Sequence, residues 1–416
     1  MTSHLHAVPA LEPSGAALLA HPLHYFGPGG AMTELTADSF RDHRVRYGPL
    51  APASGDLIGL LETTGLAGRG GAHVPAALKW RAVESAVHPD GPVVVANGAE
   101  SEPDSRKDTA LLEYRPHLVL DGLLAAATSI GARTAVVWLH EGASAARSAT
   151  ARALAERPRN DWEDVDVRVE IGPAGYLTGE SGAIVRALSG GPALPEFRRW
   201  PTAVSGVGGR PTLVHNVETL ARVALLARGF APSTTLLTVV SGEVHSVVEA
   251  SEEAELTDVV AGITRTAPVA ALVGGYGGRW VTWAELSGAV LSEPALRARG
   301  LSLGAGVISV LGPGACGLAR AAVIADYLAG QSARQCGPCV FGLRAAADSL
   351  ALLVRGGWRS RRETARLETF LAEIDGRGAC GHPDGAVQMV SSALRAFAGD
   401  VAAHRRGRCA AREGAR

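Results

Sequence analysis

The sequence predicts an α/β chain with an open sheet domain, a small strand-rich module and a helical C-terminal bundle. Three observations carry that reading. Short β-branched runs alternate with helical spacing from about residue 55, closely spaced short strands follow from about 235, and helical periodicity runs from about 321 onward. A chain of 416 residues has room for about two to four domains with real cores.

Residues 1–55 are rich in Pro, Gly, Ala and His and read as a loosely ordered lead-in. Residues 56–234 read as the α/β domain. "PVVVANGAE" (92–100), "TAVVWLHEG" (134–142) and "DVRVEIG" (166–172) are strands, with helical spacing between the first two in "LLEYRPHLVLDGLLAAATSIGA" and after the third in "PAGYLTGESGAIVRAL". The ligand crevice of such a sheet lies at the carboxyl ends of its strands. Residues 235–320 read as a β-grasp-like module, 321–403 as a helical domain and 404–416 as a basic, frayed tail.

Composition excludes several classes. With 47% hydrophobic and 19% charged residues the chain is globular, and a net charge of −1 provides no field to recruit nucleic acid. The N-terminus lacks the pattern of a secretory signal, and no apolar stretch of about 18 residues predicts a membrane span. Five cysteines in a chain this long make no disulfide framework, which points to a reducing, cytoplasmic location. Of 40 basic residues only two, Lys79 and Lys107, are lysines, so each invites a reason.

Four loops are candidates for binding. In "GLAGRGGAHVPAALKW" (65–80), Gly65, Gly68, Gly70 and Gly71 surround Arg69 ahead of a helix. They can bring backbone N–H groups against an anion, with Arg69 and Lys79 adding charge; the competing reading is an ordinary glycine turn. In "ANGAESEPDSRKD" (96–108), Asn97, Glu100 and Glu102 would face the crevice from a strand end, or form a solvated acidic loop. In "GYLTGESGAIVRAL" (175–188), Gly179 and Glu180 suit a ligand near backbone, or Glu180 or Ser181 caps the helix. In "GRPTLVHNVETLARV" (209–223), His215, Asn216 and Thr219 read as one helical turn lining the crevice, although a lone His is more often structural.

The fifth element is "SARQCGPCVFG" (332–342), with Cys380 about 40 residues later in "GRGACGHPDG". The Cys336–Cys339 spacing fits a redox disulfide, a zinc site or an iron–sulfur site. A thioredoxin-type pair belongs where a strand turns into a helix. This pair lies in a helical region, and thiolates drawn from separate segments favour a cluster. Cys316 reads as a small packed hydrophobe and Cys409 as part of the frayed tail.

In this order, the five elements resemble the NADH-binding flavoprotein subunit of bacterial respiratory complex I and its relatives in NAD-linked hydrogenases and formate dehydrogenases. The glycine loop is similar to G-x-R-G-R-G-G-A-G-F-P-x-G-x-K-W, and the second loop to N-x-D-E-G/S-E-P-G-x-x-K-D. The third is similar to A-Y-I-C-G-E-E-T-A-L-x-x-S-x-E-G and the fourth to G-x-P-T-x-V-N-N-V-E-T-L-A-x-V. Both lysines fall on lysine positions of the pattern.

The resemblance implies a Rossmann-like flavin domain, a ubiquitin-like (β-grasp) module and a helical iron–sulfur domain. It implies that NADH, as substrate, gives a hydride to FMN, and that electrons leave singly through a cluster (4Fe-4S or 3Fe-4S). They would pass to a partner such as a ferredoxin, another electron-transfer subunit or a quinone reductase complex. The implied FMN contacts are Gly68, Arg69, Gly70, Gly71, Lys79, Asn97, Glu100, Gly179, Glu180, Asn216 and Thr219. Glu102 would serve the nicotinamide side catalytically, with Arg198 standing for a family lysine. The implied cluster ligands are Cys336, Cys339 and Cys380. The pattern's first cysteine is Ala333 here; its aromatic is Val74, an aspartate is Ala99, a glutamate is Ser181 and an asparagine is His215. These departures raise an alternative, a non-catalytic relative that binds or scaffolds a partner.

Overall fold

The computed structural model describes residues 17–19, 23–26, 36–50, 56–158, 164–231, 233–357 and 360–409. Most of the expected lead-in and the end of the expected tail lie outside the described residues. The chain forms two compact units, one holding Pro9–Thr238 with His245–Glu252, the other Val239–Val244 with Glu253–Arg416.

The first unit begins with β1 (Leu23–Phe26), α1 (Phe40–Tyr47), α2 (Leu57–Thr64) and α3 (Ala76–Glu84). Helix α1 departs from the expected loose lead-in. Ser39 and Asp42 form a reciprocal capping box at its start, and His43 on its buried face reaches Asp121 at 2.7 Å. Next come β2 (Val93–Asn97), α4 (Lys107–Tyr114), α5 (Pro116–Ser129), β3 (Thr134–His140), α6 (Ser144–Glu156) and β4 (Asp166–Gly172). The single helical run expected over 111–132 is two helices, because Pro116 cannot continue α4 and instead opens α5. Then come α7 (Ser181–Leu188), β5 (Thr212–Asn216) and α8 (Val217–Leu226).

The sheet order is β4–β3–β2–β5, all parallel, with Val93 level with Thr134 on one side and Thr212 on the other. Strand β2 is buried on both faces. Val94 and Ala96 enter the larger core, while Val93 and Val95 enter a smaller core with Trp138, Ile184 and Val185. Helices α5 and α8 pack backbone to backbone at Gly122, where any Cβ would collide with the Leu220 backbone carbonyl. From β2 the chain winds to β3 and β4 on one side and returns to β5 on the other. The order therefore reverses between β2 and β5, where Asn97 and Asn216 lie side by side at the strand ends.

Strands β6 (Thr234–Ser241) and β7 (Val244–Ser251) contribute residues to both units. The second unit continues with α9 (Leu256–Ala261), β8 (Ala270–Val273), β9 (Arg279–Thr282), α10 (Glu293–Ala298) and β10 (Val307–Leu311). Strand β8 runs antiparallel to both β10 and β9. Five helices follow: α11 (Gly317–Gly330), α12 (Leu343–Arg355), α13 (Ser360–Ile374), α14 (His382–Ala396) and α15 (Ala398–Arg405). The whole is a mixed α/β fold. No helix among the described residues is long and apolar enough to cross a membrane.

Candidate functional site

The strand-end crevice of the first unit gathers the predicted loops. Gly68 N–H donates to the Val74 carbonyl at 2.9 Å and Ala76 N–H to Leu66 at 2.8 Å, which closes the glycine loop ahead of α3. Gly71 has φ 102°, open essentially to glycine alone. His73, at φ 47°, is one of two non-glycine residues with positive φ among the described residues. The loop is tied to α8, for Arg69 N–H donates to Thr219 Oγ1 at 2.9 Å, and a Cβ on Gly70 would lie 3.4 Å from Asn216 Cβ. Arg69's guanidinium pairs with Glu252 and reaches Thr235 Oγ1, while its buried Nε has no hydrogen-bond partner.

Lys79 points back from α3 to the end of β5, where its Nζ has one long hydrogen bond, 3.4 Å to the Val214 carbonyl. Burial holds its pKa below the ordinary lysine value, and the charge of Glu180 opposes that shift. Glu180 caps α7, accepting from Ala183 N–H at 3.2 Å. Asn97 joins the loops, donating to the Gly179 carbonyl at 2.8 Å and accepting from Ala99 N–H at 3.1 Å. Gly179 is essential to that contact, since a Cβ would fall 2.6 Å from Ser101 Oγ and 2.8 Å from the Ala99 carbonyl oxygen. Glu100 caps α4, its carboxylate accepting from the N–H groups of Asp108 and Thr109 and from Ser105 Oγ. Glu102 is buried at 7% exposure in the same loop. Arg198 lies at the start of α7, with Cδ 3.6 Å from where a Gly182 Cβ would stand, and it donates to Ser205 O.

One local expectation is corrected. His215, Asn216 and Thr219 do not share a helical turn: His215 and Asn216 end β5, and only Thr219 is on α8. Asn216 caps α8 by accepting from Glu218 N–H at 2.9 Å. His215 is a core acceptor for the indole N–H of Trp80 at 2.9 Å, and burial, then the charge of Lys79, lowers it to about 3.

Sequence reasoning missed the buried charges beneath the site. Lys107, 2% exposed, contacts Asp108 at 2.7 Å and Glu218 at 3.0 Å, and Glu218 in turn takes Arg222. Burial alone would lower the Lys107 pKa, but Asp108 and Glu218 outweigh it and hold it above the ordinary value. Burial would raise Glu218, yet Lys107 and Arg222 bring it down to about 2. Asp108, sharing Lys107 with Glu218, is raised to about 6, mainly by burial. The i,i+4 spacing of Glu218 and Arg222 was the available signal.

In the second unit the chain leaves α11, passes Ala333 and Arg334 (φ 56°), and enters a π-helical turn at Pro338–Gly342 that carries Cys339. Cys380 precedes α14. Burial, then the neighbouring Cys336 thiol, push the buried Cys339 thiol up to about 11, and Cys380 acts in the same direction. The Ala333 backbone and Ser332 side chain hydrogen-bond to Cys339. Ala333 is buried at 4% exposure. His382 Nε2 is 3.0 Å from the Leu328 carbonyl.

Residues 61–225 match the Nuo51 FMN-binding domain, and 319–404 match the NADH-ubiquinone oxidoreductase-F iron-sulfur binding region. The NADH-quinone oxidoreductase F subunit of Salmonella typhimurium is 30% identical over 370 residues, 82% of this chain and 82% of that one. The chain belongs to the family of NADH-quinone oxidoreductase F subunits. A second relative, the F subunit numbered 2 in Rhizobium meliloti, is 27% identical over 391 residues, 88% of this chain and 92% of the relative. The fold is similar to a crystal structure of a NAD+-reducing NiFe hydrogenase in the H2-reduced state, with a TM-score of 0.73 and 25% identity. That likeness covers 84% of this chain and 62% of the hydrogenase chain, a little under two thirds of its length. As a member of this family, the protein is an NADH dehydrogenase-type oxidoreductase that uses FMN and an iron–sulfur cluster for electron transfer.

The residues present fit both groups. For a flavin phosphate or ring edge, the glycine loop, the unpartnered Arg69 Nε and the weakly bonded Lys79 amine provide donors at the strand-order reversal. For iron, Cys336 and Cys380 both act on the Cys339 thiol, so thiolate donors from two separate segments converge there. Thiolates drawn from separate segments suit a cluster that interposes iron and sulfide.

Proposed function

We propose that FMN sits in the crevice between the ends of β2 and β5, and that electrons leave through the Cys336–Cys339–Cys380 group to a separate carrier such as a ferredoxin. The carrying observation is Lys79, a part-buried amine whose only hydrogen bond among the described residues is 3.4 Å long, beside a backbone that only glycine can follow. Bound FMN supplies hydride acceptance from NADH and one-electron release.

The chain's residues do the rest. Gly68, Gly70 and Gly71 keep the loop bare so that backbone N–H groups can approach an anion, and Lys79 and Arg69 add positive charge. Thr219 fixes the loop through Arg69 N–H, and Asn216 fixes the start of α8. Asn97 locks the Gly179 loop against β2, so Gly179 and Glu180 present one rigid wall. Glu100 holds the start of α4 and thereby places Glu102. The buried Glu102 carboxylate orients the nicotinamide, with Arg198 at the start of α7 offering a cation to the same substrate. The division into a Rossmann-like domain (56–234), a β-grasp module (235–320), an iron–sulfur domain (321–403) and a tail (404–416) after a lead-in (1–55) is part of this reading, as is a cytoplasmic location.

The test is one anaerobic preparation with an absorbance spectrum, low-temperature EPR and NADH-dependent reduction of added ferredoxin. Flavin bands, an iron signal lost in Cys380→Ser, and ferredoxin reduction are expected. Protein without flavin absorbance defeats the crevice assignment. An iron signal that survives Cys380→Ser defeats the ligand assignment.

A further inference from the structure

A second set of soft donors lies elsewhere in the helical region. Cys316 caps the start of α11, whereas Cys336 follows its end, and a helix of 14 residues spans about 21 Å. The two sets are therefore at opposite ends of one rod. At the Cys316 end, His404 from the last turn of α15 brings Nε2 to 3.3 Å from Cys316 Sγ. Gly407, at φ 73°, then turns the chain back, its N–H donating to the His404 carbonyl at 2.9 Å. That turn returns Cys409, so that donor atoms of Cys316, His404 and Cys409 all lie within 4.8 Å of one another. Cys316 is therefore not an isolated core hydrophobe, and Cys409 is not a detached tail residue.

The arrangement is built rather than superficial. Cys316 and His404 are 7% and 4% exposed, and Cys409 is partly buried. Ala319 N–H donates to Cys316 Sγ at 3.4 Å, which aims the sulfur off the helix end. A Cβ on Gly356 would meet the His404 carbonyl at 2.7 Å, so the α12 terminus packs tightly beneath the histidine. Two thiols and an imidazole within so small a radius match the ligand chemistry of zinc-class ions. Bonds of about 2.0–2.3 Å to sulfur and nitrogen place ligand atoms roughly 3.5–4 Å apart.

We propose that Cys316, His404 and Cys409 form a mononuclear site for a borderline-soft divalent cation, Zn2+ by preference, which clamps the end of α15 onto the start of α11. Binding releases the two thiol protons and leaves the imidazole neutral at Nε2. The fourth position belongs to water.

The test uses the full chain, anaerobically purified with its iron in place and treated with a mild zinc chelator. It is titrated with Co2+ under absorbance. One equivalent giving a thiolate-to-cobalt charge-transfer band is expected, and Zn2+ should bleach that band. Cys409→Ser and His404→Gln should each lose it while keeping the iron signal, and Zn2+ should raise the melting midpoint of wild type but not of Cys409→Ser. Because Cys409 is partly exposed near the end of the chain, its serine variant folds even where Cys316→Ser does not. The proposal is overturned by absence of the band, by its persistence in both variants, or by recovery of Cys316 and Cys409 joined as a disulfide from the anaerobic preparation.

Discussion

The two lysines separate stability from cofactor binding, and replacing each by methionine tests the division. Lys107 is buried between Asp108 and Glu218, whereas Lys79 has no carboxylate in contact among the described residues. Removing one partner of a buried ion pair costs about 3–5 kcal/mol. In Lys107→Met, Glu218 keeps Arg222 at 3.0 Å and Asp108 keeps the Asn216 amide at 2.6 Å, which favours the lower end, about 3 kcal/mol. At roughly 2–4 °C per kcal/mol for a unit of this size, the melting midpoint falls by about 6–12 °C. In Lys79→Met the lost hydrogen bond is long and the amine is already desolvated, so the flavin-free protein changes by less than about 1 kcal/mol. A charge-assisted hydrogen bond to FMN is worth about 1.5–3 kcal/mol, so the FMN dissociation constant rises about tenfold to a hundredfold. Thermal melts of flavin-free protein and fluorescence titration with FMN read the two quantities separately. The reasoning fails if Lys107→Met melts like wild type, or if Lys79→Met binds FMN unchanged.

Three further outcomes follow from the same geometry. His215 is held below its ordinary value, to about 3, by burial and then by Lys79. On acidification the unfolded chain takes that proton first, so stability present above pH 6.5 is lost as pH falls toward 3, at up to about 1.4 kcal/mol per pH unit. Urea midpoints measured against pH should show a shallower acid limb in His215→Asn, and an unchanged limb would contradict the assignment. Gly179→Ala pushes a Cβ to 2.8 Å from the Ala99 carbonyl, which should displace the 99–101 loop, cost about 1–3 kcal/mol and strip flavin from the purified protein; full flavin occupancy would refute the cradle. Ala333→Cys restores a fourth thiol beside Cys339, so iron per chain and the EPR spectrum should shift toward a four-iron cluster, and identical iron content would place Ala333 outside the cluster's reach.

The strands were legible because their period and β-branched content are local. "DVRVEIG" begins and ends where β4 does. The break at Pro116 and the strand identity of His215 were not read, because a short apolar run ahead of a cap looks the same as the first turn of a helix. The loops of the candidate site were legible as motifs, but their wiring was not. That Thr219 holds Arg69 N–H, 150 positions away in sequence, or that Asn97 holds Gly179, depends on pairings that only the fold creates. Cys316 and Cys409 were misread for the same reason, since each alone is a lone cysteine, and only the turn at Gly407 and the helix α15 bring them to one histidine.

The departures from the family pattern bear on whether the flavin loop is still in use. His73 stands where the pattern has glycine, and it keeps a positive φ of 47°. A left-handed conformation at an L-residue costs about 1–2 kcal/mol, and a free turn would relax into an unstrained one. This loop is prevented from doing so by three backbone donations, Gly68 to Val74, Arg69 to Thr219 and Ala76 to Leu66, each worth about 0.5–1.5 kcal/mol. Together they outweigh the strain. The asparagine replaced by His215 is likewise compensated, because the imidazole satisfies the fully buried Trp80 indole directly beneath Lys79. What those bonds leave uncompensated is the part-buried Lys79 amine, whose 3.4 Å contact to the Val214 carbonyl is too weak to account for its desolvation without an anionic ligand. The retained geometry therefore argues that the changed residues adjust a working site rather than mark its loss.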